Sequence, residues 1–305
     1  MKADLNSEHR VGGTQSQWHG HCSLEFSTDQ QGKTRHQGGS SAPLKILRAV
    51  NNVDGRCELP LLHTAGGLVG GDTLEVTLNL KQNSRSLITS VAAQKAYGSV
   101  KRSRLHPDGR WSKQKVSAAQ EENTDLEWLP QEVVIYADAM FEQRLEIVLA
   151  KNSSFLGMDI ARLGRTAAGE ELGNGHWRSV ITIKRNDNDN TRWEFVDRTE
   201  IEQESFKSIH GLGGEPVVGT LVWAAANPLS GDEMNALLEG ARHDRRSLSG
   251  EMRCGGLEQG MVARYVGNSS RDARFWFSRI WRRTREIRGM RPPEIPRYWP
   301  LQEAA

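Results

Sequence analysis

Alternation of apolar and polar positions dominates the chain. Along Trp18–Phe26, Trp18, Cys22, Leu24 and Phe26 share one face, as a half-buried strand requires. Further strand patterns follow at short intervals: Leu44–Val50 and Cys57–Leu62 about the turn Asp54-Gly55, then Thr73–Leu80 and Ser86–Val91. Strands are also predicted over Leu105–Trp111, Asp125–Leu129, Val133–Tyr136, Phe141–Leu149, Phe155–Ile160, Trp177–Lys184, Arg192–Val196, Val217–Trp223 and Met261–Tyr265. Gln30–Ser41 reads as a polar loop and Asn186–Asn190 as a solvated hairpin tip. Helical spacing is confined to two segments. Ser230 is placed to cap one, with Met234, Leu237, Leu238 and Ala241 recurring behind it. The other runs from Arg271 to about Arg288, with Phe275, Ile280, Trp281 and Ile287 as its apolar stripe and Gly289 as its stop. Many short strands and few helices predict an all-β fold, and no repeat of fixed period is visible.

Composition narrows the function. The 305 residues carry 40 basic and 38 acidic side chains, a net of +2, which leaves no general nucleic-acid footprint. No apolar run approaches the roughly 18 residues that span a bilayer, and Met1–Gln17 is polar, without a signal-peptide core, and is expected to be disordered. Residues 18–300 are expected to form one domain. Cys22, Cys57 and Cys254 lie far apart and form no paired framework, which suits a reducing cytoplasm. Nine tryptophans with a mean hydropathy of −0.60 suggest exposed aromatic anchors and a tendency to aggregate without a partner.

The sharpest local feature is His63-Thr64-Ala65-Gly66-Gly67-Leu68-Val69-Gly70-Gly71-Asp72, four glycines in six residues feeding a strand. It is not a phosphate cradle. A P-loop ends in Gly-Lys-Ser/Thr and opens a helix, whereas here a carboxylate and a strand follow.

These residues carry a resemblance. The glycine run resembles the signature of the urease accessory protein UreD family, called UreH in some organisms. Leu126-Glu127-Trp128-Leu129-Pro130-Gln131-Glu132, followed by an apolar strand and Asp138-Ala139, looks like that family's central motif. Gly164–Glu170, Thr89–Lys95, Ala263-Arg264-Tyr265 and Pro296-Arg297-Tyr298-Trp299 are similar to further family segments, in the family's order from Trp18 to Trp299. Thr73, Ser90 and Tyr298 depart from the family pattern without removing a motif. The resemblance implies a β-helix-like arrangement of many strands with two short helices. It also implies a non-catalytic chaperone that binds apo-urease and the partner UreF, recruits the GTPase UreG through UreF, and passes Ni²⁺ through an internal polar tunnel without holding it tightly.

Transit of a divalent ion asks for sparse carboxylates, hydroxyls and water, since a closed His/Cys cage would retain it. The motif acids Asp72, Glu127, Glu132, Asp138, Asp159 and Glu170 are candidates; the alternative for each is a turn cap or an arginine pair. His63 opens the glycine loop as a hinge or transit ligand, and His210 reads as a loop residue. His19 and His21 share a strand face, a two-ligand metal site at most against an ordinary exposed strand. The arginine-rich helix around Trp281, Arg282 and Arg283 is read as a UreF interface rather than an RNA or membrane surface, the bland reading being a packed amphipathic helix. Two other classes compete: a plain protein-binding β module, and a β-helical carbohydrate-active enzyme using acids such as Asp72 and Glu127.

Overall fold

The computed structural model describes residues 17–187 and 190–299. Of the expected disordered segment Met1–Gln17 all but Gln17, and of the expected hairpin tip Asn188 and Asp189, lie outside the described residues, as does Pro300. The strands are β1 (His19–Thr28), β2 (Thr34–Ser40), β3 (Leu44–Ile46), β4 (Val50–Asn51), β5 (Cys57–His63), β6 (Thr73–Leu80), β7 (Arg85–Ser90), β8 (Gln94–Ala96) and β9 (Ser112–Gln120). They continue as β10 (Asp125–Leu129), β11 (Val133–Ile135), β12 (Met140–Leu149), β13 (Ser154–Leu163), β14 (His176–Asp187), β15 (Asn190–Ile201), β16 (Val217–Ala224), β17 (Glu251–Leu257) and β18 (Gly260–Gly267). Three helices, α1 (Gln203–Lys207), α2 (Gly231–His243) and α3 (Ser270–Glu286), complete the all-β arrangement.

The chain winds between two sheets. From β5 to β7, β10 and β13 the strands of one sheet are parallel, while β6, β9, β12 and β14 form a parallel run in the other. In the first sheet Cys57 pairs with Ser86, Ser86 with Leu126 and Leu126 with Phe155, so successive turns of the coil take 29, 40 and 29 residues. That unevenness is why no fixed period shows in the sequence. Antiparallel β16, β18 and β17 extend the first sheet, and β15 closes one edge of the second.

Strand alternation builds the core between the sheets. Leu74, Val76, Leu78 and Leu80 of β6 face Leu126, Trp128, Phe155 and Ala161 of the opposite layer. The outer face of the first sheet is covered by α2 and α3, against which Leu129, Leu156, Met158, Ile160, Leu221 and Trp223 pack. Because β16 has core on one side and helices on the other, all eight of its residues are buried.

Several sequence expectations are corrected. Gln30–Ser41 is not a loop: β2 pairs antiparallel with β1 as an edge strand, held by backbone bonds that its polar side chains do not advertise. Leu105–Trp111 is turn and coil, and the strand begins at Ser112. β9 escapes the pattern because its inward residues include Gln114, and β17 because it contains Gly255 and Gly256. The five-residue α1 was not expected. Ser230 caps α2 as predicted, its Oγ accepting from Glu233 N while Glu233 accepts from Ser230 N. On α3 the buried stripe is Ala273, Trp276, Phe277, Ile280, Trp281 and Thr284, with Phe275 only half-buried. Trp18 is 47% exposed and leaves the face of Cys22, Leu24 and Phe26. Six of the nine tryptophans are buried, so they are core rather than surface anchors. Among the described residues, no helix is long and apolar enough to cross a membrane.

Candidate functional site

Between the sheets lies a chamber of about 190 Å³. At one end its wall is the glycine loop. Gly66 and Gly71 take positive φ (+78° and +103°), and a Cβ on Gly67 would sit 2.6 Å from the Tyr97 ring and 2.9 Å from Lys95 Cβ. This contact lets Leu68 N donate to Lys95 O and Tyr97 N to Leu68 O, stitching the loop to β8. Asp72 closes the loop, its two carboxylate oxygens accepting from Trp18 N and Val69 N, each at 2.9 Å. A buried carboxylate so bonded is a backbone cap. His63 and Gly66 line the chamber, with His63 Nδ1 3.0 Å from Gln94 Nε2; burial, opposed by Asp72, lowers the histidine's pKa.

Asp159 lies deeper. It is the one carboxylate among the lining residues and comes from β13, on the face that also presents Phe155 and Ala161 to the core. Ser179 Oγ donates to Asp159 Oδ2 at 3.3 Å, and Gln143 Nε2 donates to the same oxygen and, at 3.2 Å, to Ser179 Oγ. Burial pushes the Asp159 carboxyl up to about 6, with Ser179 working against it. Protein surrounds the side chain densely, yet it keeps accessible area because it faces the chamber, so water there can screen its charge.

The other candidate acids are engaged elsewhere. Glu127 is fully buried but points away from the chamber, toward α3, since Leu126 and Trp128 take the inner face of β10. It accepts from Arg285 Nε (2.8 Å) and Nη2 (2.6 Å) and from Trp281 Nε1 (2.8 Å). Beside it Asp125 bonds Arg56 Nη2 at 2.5 Å and Arg288 Nη1 at 3.0 Å. Burial raises the Asp125 carboxyl, but Arg288 and Arg56 together outweigh burial and hold it well below the carboxylate range. This latch pins the end of α3 to β5 and β10. Glu132 pairs with Arg274. Asp138, in the left-handed region at φ +63°, accepts from Asn174 N and Nδ2, both at 3.0 Å. Glu170 pairs with Arg165 and accepts from Ala137 N. With Asp72 capped and Glu127 locked on the opposite side of its strand, the acid pair that an enzyme reading would use is not assembled.

Trp281 is 1% exposed and so acts within the fold, a correction to its reading as a partner anchor; Arg283, half-buried, pairs with Asp244, and Arg282 is exposed. His19 and His21 lie on the exposed face of β1, with His21 Nδ1 2.7 Å from Ser41 Oγ. Among the described residues, no group of three His, Cys, Asp or Glu side chains is placed to hold a metal. His210 is exposed in a turn. Sequence reasoning missed Gln143, Ser179, Arg56 and Arg285. Gln143 left a readable signal, a polar residue in phase with inward Phe141, Leu145 and Ile147.

Two strand layers coiled around a chamber, with the two longer helices on the outer face of one sheet, define the class: a β-coil scaffold enclosing an internal space. A profile described as UreD urease accessory protein matches residues 19–300. The chain is 62% identical over 286 residues to "Urease accessory protein UreD" of Parasynechococcus marenigrum (strain WH8102), covering 94% of this chain and 92% of that protein. Proteins of the same name from Synechococcus sp. (strain CC9902) and Prochlorococcus marinus (strain MIT 9313) are 60% and 53% identical, each over 94% of this chain and 92% of their own length. The chain belongs to the UreD urease accessory protein family.

Proposed function

We propose that this protein is a non-catalytic cytoplasmic scaffold for urease maturation, which docks apo-urease and UreF, and UreG through UreF, while Ni²⁺ crosses the chamber between its sheets as cargo. The observation that carries the passage is the donor set around Asp159: one carboxylate, the Ser179 hydroxyl and the Gln143 amide facing a space of about 190 Å³. One anionic oxygen beside a hydroxyl attracts a divalent ion, and too few ligands converge to retain it. A carboxylate with a raised pKa also exchanges its proton for a cation near neutral pH.

The test is Asp159→Ala and Asp159→Asn in cells carrying the urease genes under limiting nickel, reading urease activity and nickel per urease. Both variants should lower nickel occupancy at unchanged abundance of the scaffold. Full occupancy with both would remove Asp159 from the route. Co-purification with UreF and with apo-urease tests the docking role separately.

A further inference from the structure

We infer that the C-terminal segment Pro296–Trp299 is a removable stopper over the side of the chamber that lies in the helix-covered sheet. This deepens the passage reading and rests on it only for the identity of the cargo. The chamber's lining is unevenly exposed. At the glycine-loop end Gly66 and Ala92 are exposed, and His63, Gln94 and Lys95 are half-buried. Farther along the same sheet Thr89 and Gln131 also line it, yet they are only 2% and 5% exposed.

These two residues flank a break in the sheet. β7 ends at Ser90 and β10 at Leu129, and pairing resumes only with β8 at Gln94 and β11 at Val133. The tail sits on that break. Trp299 Nε1 donates to Thr89 Oγ1 at 2.9 Å, and Gln131 Nε2 donates to the Tyr298 carbonyl at 3.2 Å. The Trp299 ring is 3% exposed, 6.1 Å from the Trp281 ring centroid and 4.9 Å from the Arg274 guanidinium. Trp281 and Arg274, which flank the tail side chain, come from α3, the helix fixed by the Glu127–Arg285 latch.

The seat is firm enough to close the break and light enough to leave. Residues 291–299 contain no helix or strand, so lifting the segment breaks no ladder of backbone bonds; what holds it is the burial and contacts of the Trp299 ring. Lifting it gives a pocket that opens at the glycine loop a second opening, through the break in the sheet.

The test measures access to the chamber in the full chain, without nickel or urease. In a Cys254→Ser background, where Cys22 and Cys57 are buried, Val133→Cys puts a reporter thiol on the chamber wall. Its rate of labelling by a small methanethiosulfonate reagent should rise about tenfold or more when Trp299→Ala is added, with Trp299→Phe between the two. Equal rates in all three, each folded by its thermal transition, would overturn the stopper. Should Trp299→Ala fail to fold, the chain ended after Ile295 replaces it. A body that cannot fold without residues 296–299 would equally overturn the proposal. Because no metal enters the assay, faster labelling alongside normal nickel loading by Asp159→Ala would retire the passage and keep the stopper.

Discussion

Arg285, near the end of α3, clasps Glu127 on β10 through two parallel hydrogen bonds of 2.8 and 2.6 Å, across 158 residues of sequence and with both side chains buried. Removing one partner leaves a buried charge with only longer ion pairs: Glu127 keeps Arg56 at 3.5 Å and Arg288 at 3.8 Å, and Arg285 keeps Asp54 at 3.9 Å. Glu127→Ala should therefore destabilise the protein by about 3–5 kcal/mol, and Arg285→Met by a similar amount. The pair replaced together, Glu127→Leu with Arg285→Met, should regain most of that loss, although Arg56 and Arg288 still face Asp125. Urea denaturation of the four proteins gives the coupling energy. Additive losses would mean that the two residues do not act as a unit. A fall in urease activation on mutating Glu127 would then follow from less folded scaffold rather than from a lost nickel ligand.

The glycine loop makes a second, steric prediction. Gly67 has φ +158°, and an added Cβ would meet the Tyr97 ring at 2.6 Å and Lys95 O at 3.0 Å. Neither neighbour is the free end of a flexible chain, because Tyr97 N and Lys95 O both bond Leu68. Gly67→Ala should cost about 1–3 kcal/mol and widen the seam between loop and β8. Gly66→Ala meets no atom within 4 Å and carries only the left-handed backbone penalty, about 1 kcal/mol. Thermal midpoints of the two variants should rank in that order; the reverse order would place the constraint in backbone conformation alone.

What the sequence makes legible follows from which forces act locally. β6 is predicted to the residue, because a half-buried strand must alternate and Leu74 to Leu80 does so strictly. The capping box of α2 is equally local, needing only Ser230 and Glu233. β2 is invisible because an edge strand can form on backbone bonds alone, with Gln37, Gly38 and Gly39 as its side chains. The site is less legible than the fold. Alternation along Leu126-Glu127-Trp128 says that Glu127 opposes its neighbours, but not which face holds the chamber. Only the coil's winding decides that the acid meets Arg285 while Trp128 lines the cavity. Asp159 sits among apolar residues in sequence as Glu127 does; what separates their chemistry is the partner, Arg285 158 residues on for Glu127 and Ser179 20 residues on for Asp159, and neither is readable from spacing.

The α3 surface divides two adjacent arginines. Arg283 is half-buried and bonds Asp244 through Nη2 at 2.8 Å and through Nε, joining α3 to the end of α2. Arg283→Glu sets like charges together and should lower stability by about 1 kcal/mol, a shift of a few degrees at most in the thermal midpoint. Arg282 is exposed, and Arg282→Glu should leave that midpoint unchanged. If this helix docks UreF, Arg282→Glu weakens the pull-down with no loss of fold. Intact UreF binding by Arg282→Glu, together with weaker binding only in the destabilised Arg283→Glu, would move the interface to another face.

Asp159 yields a pH dependence with a definite sign. Its carboxyl rises from an ordinary 3.8 to about 6, chiefly through burial. The folded state therefore holds the proton more tightly than the unfolded chain. Its favourable contribution is complete below about pH 4 and is lost as pH climbs through 6, leaving a net cost at neutral pH. A two-unit difference corresponds to about 3 kcal/mol, and water in the chamber reduces that figure. Asp159→Asn, which keeps the shape and cannot ionise, should raise the thermal midpoint at pH 7.5 and lose that advantage at pH 4. A variant less stable than the parent at pH 7.5 would mean that the carboxylate is compensated in the folded protein. The same proton competes with any cation that visits the site. Nickel transfer in a purified system should slow as pH falls through 6 with Asp159 present, and should lose that step in Asp159→Asn at a lower overall rate. A pH profile identical in the two proteins would separate the carboxylate from the cargo while leaving its stability effect intact.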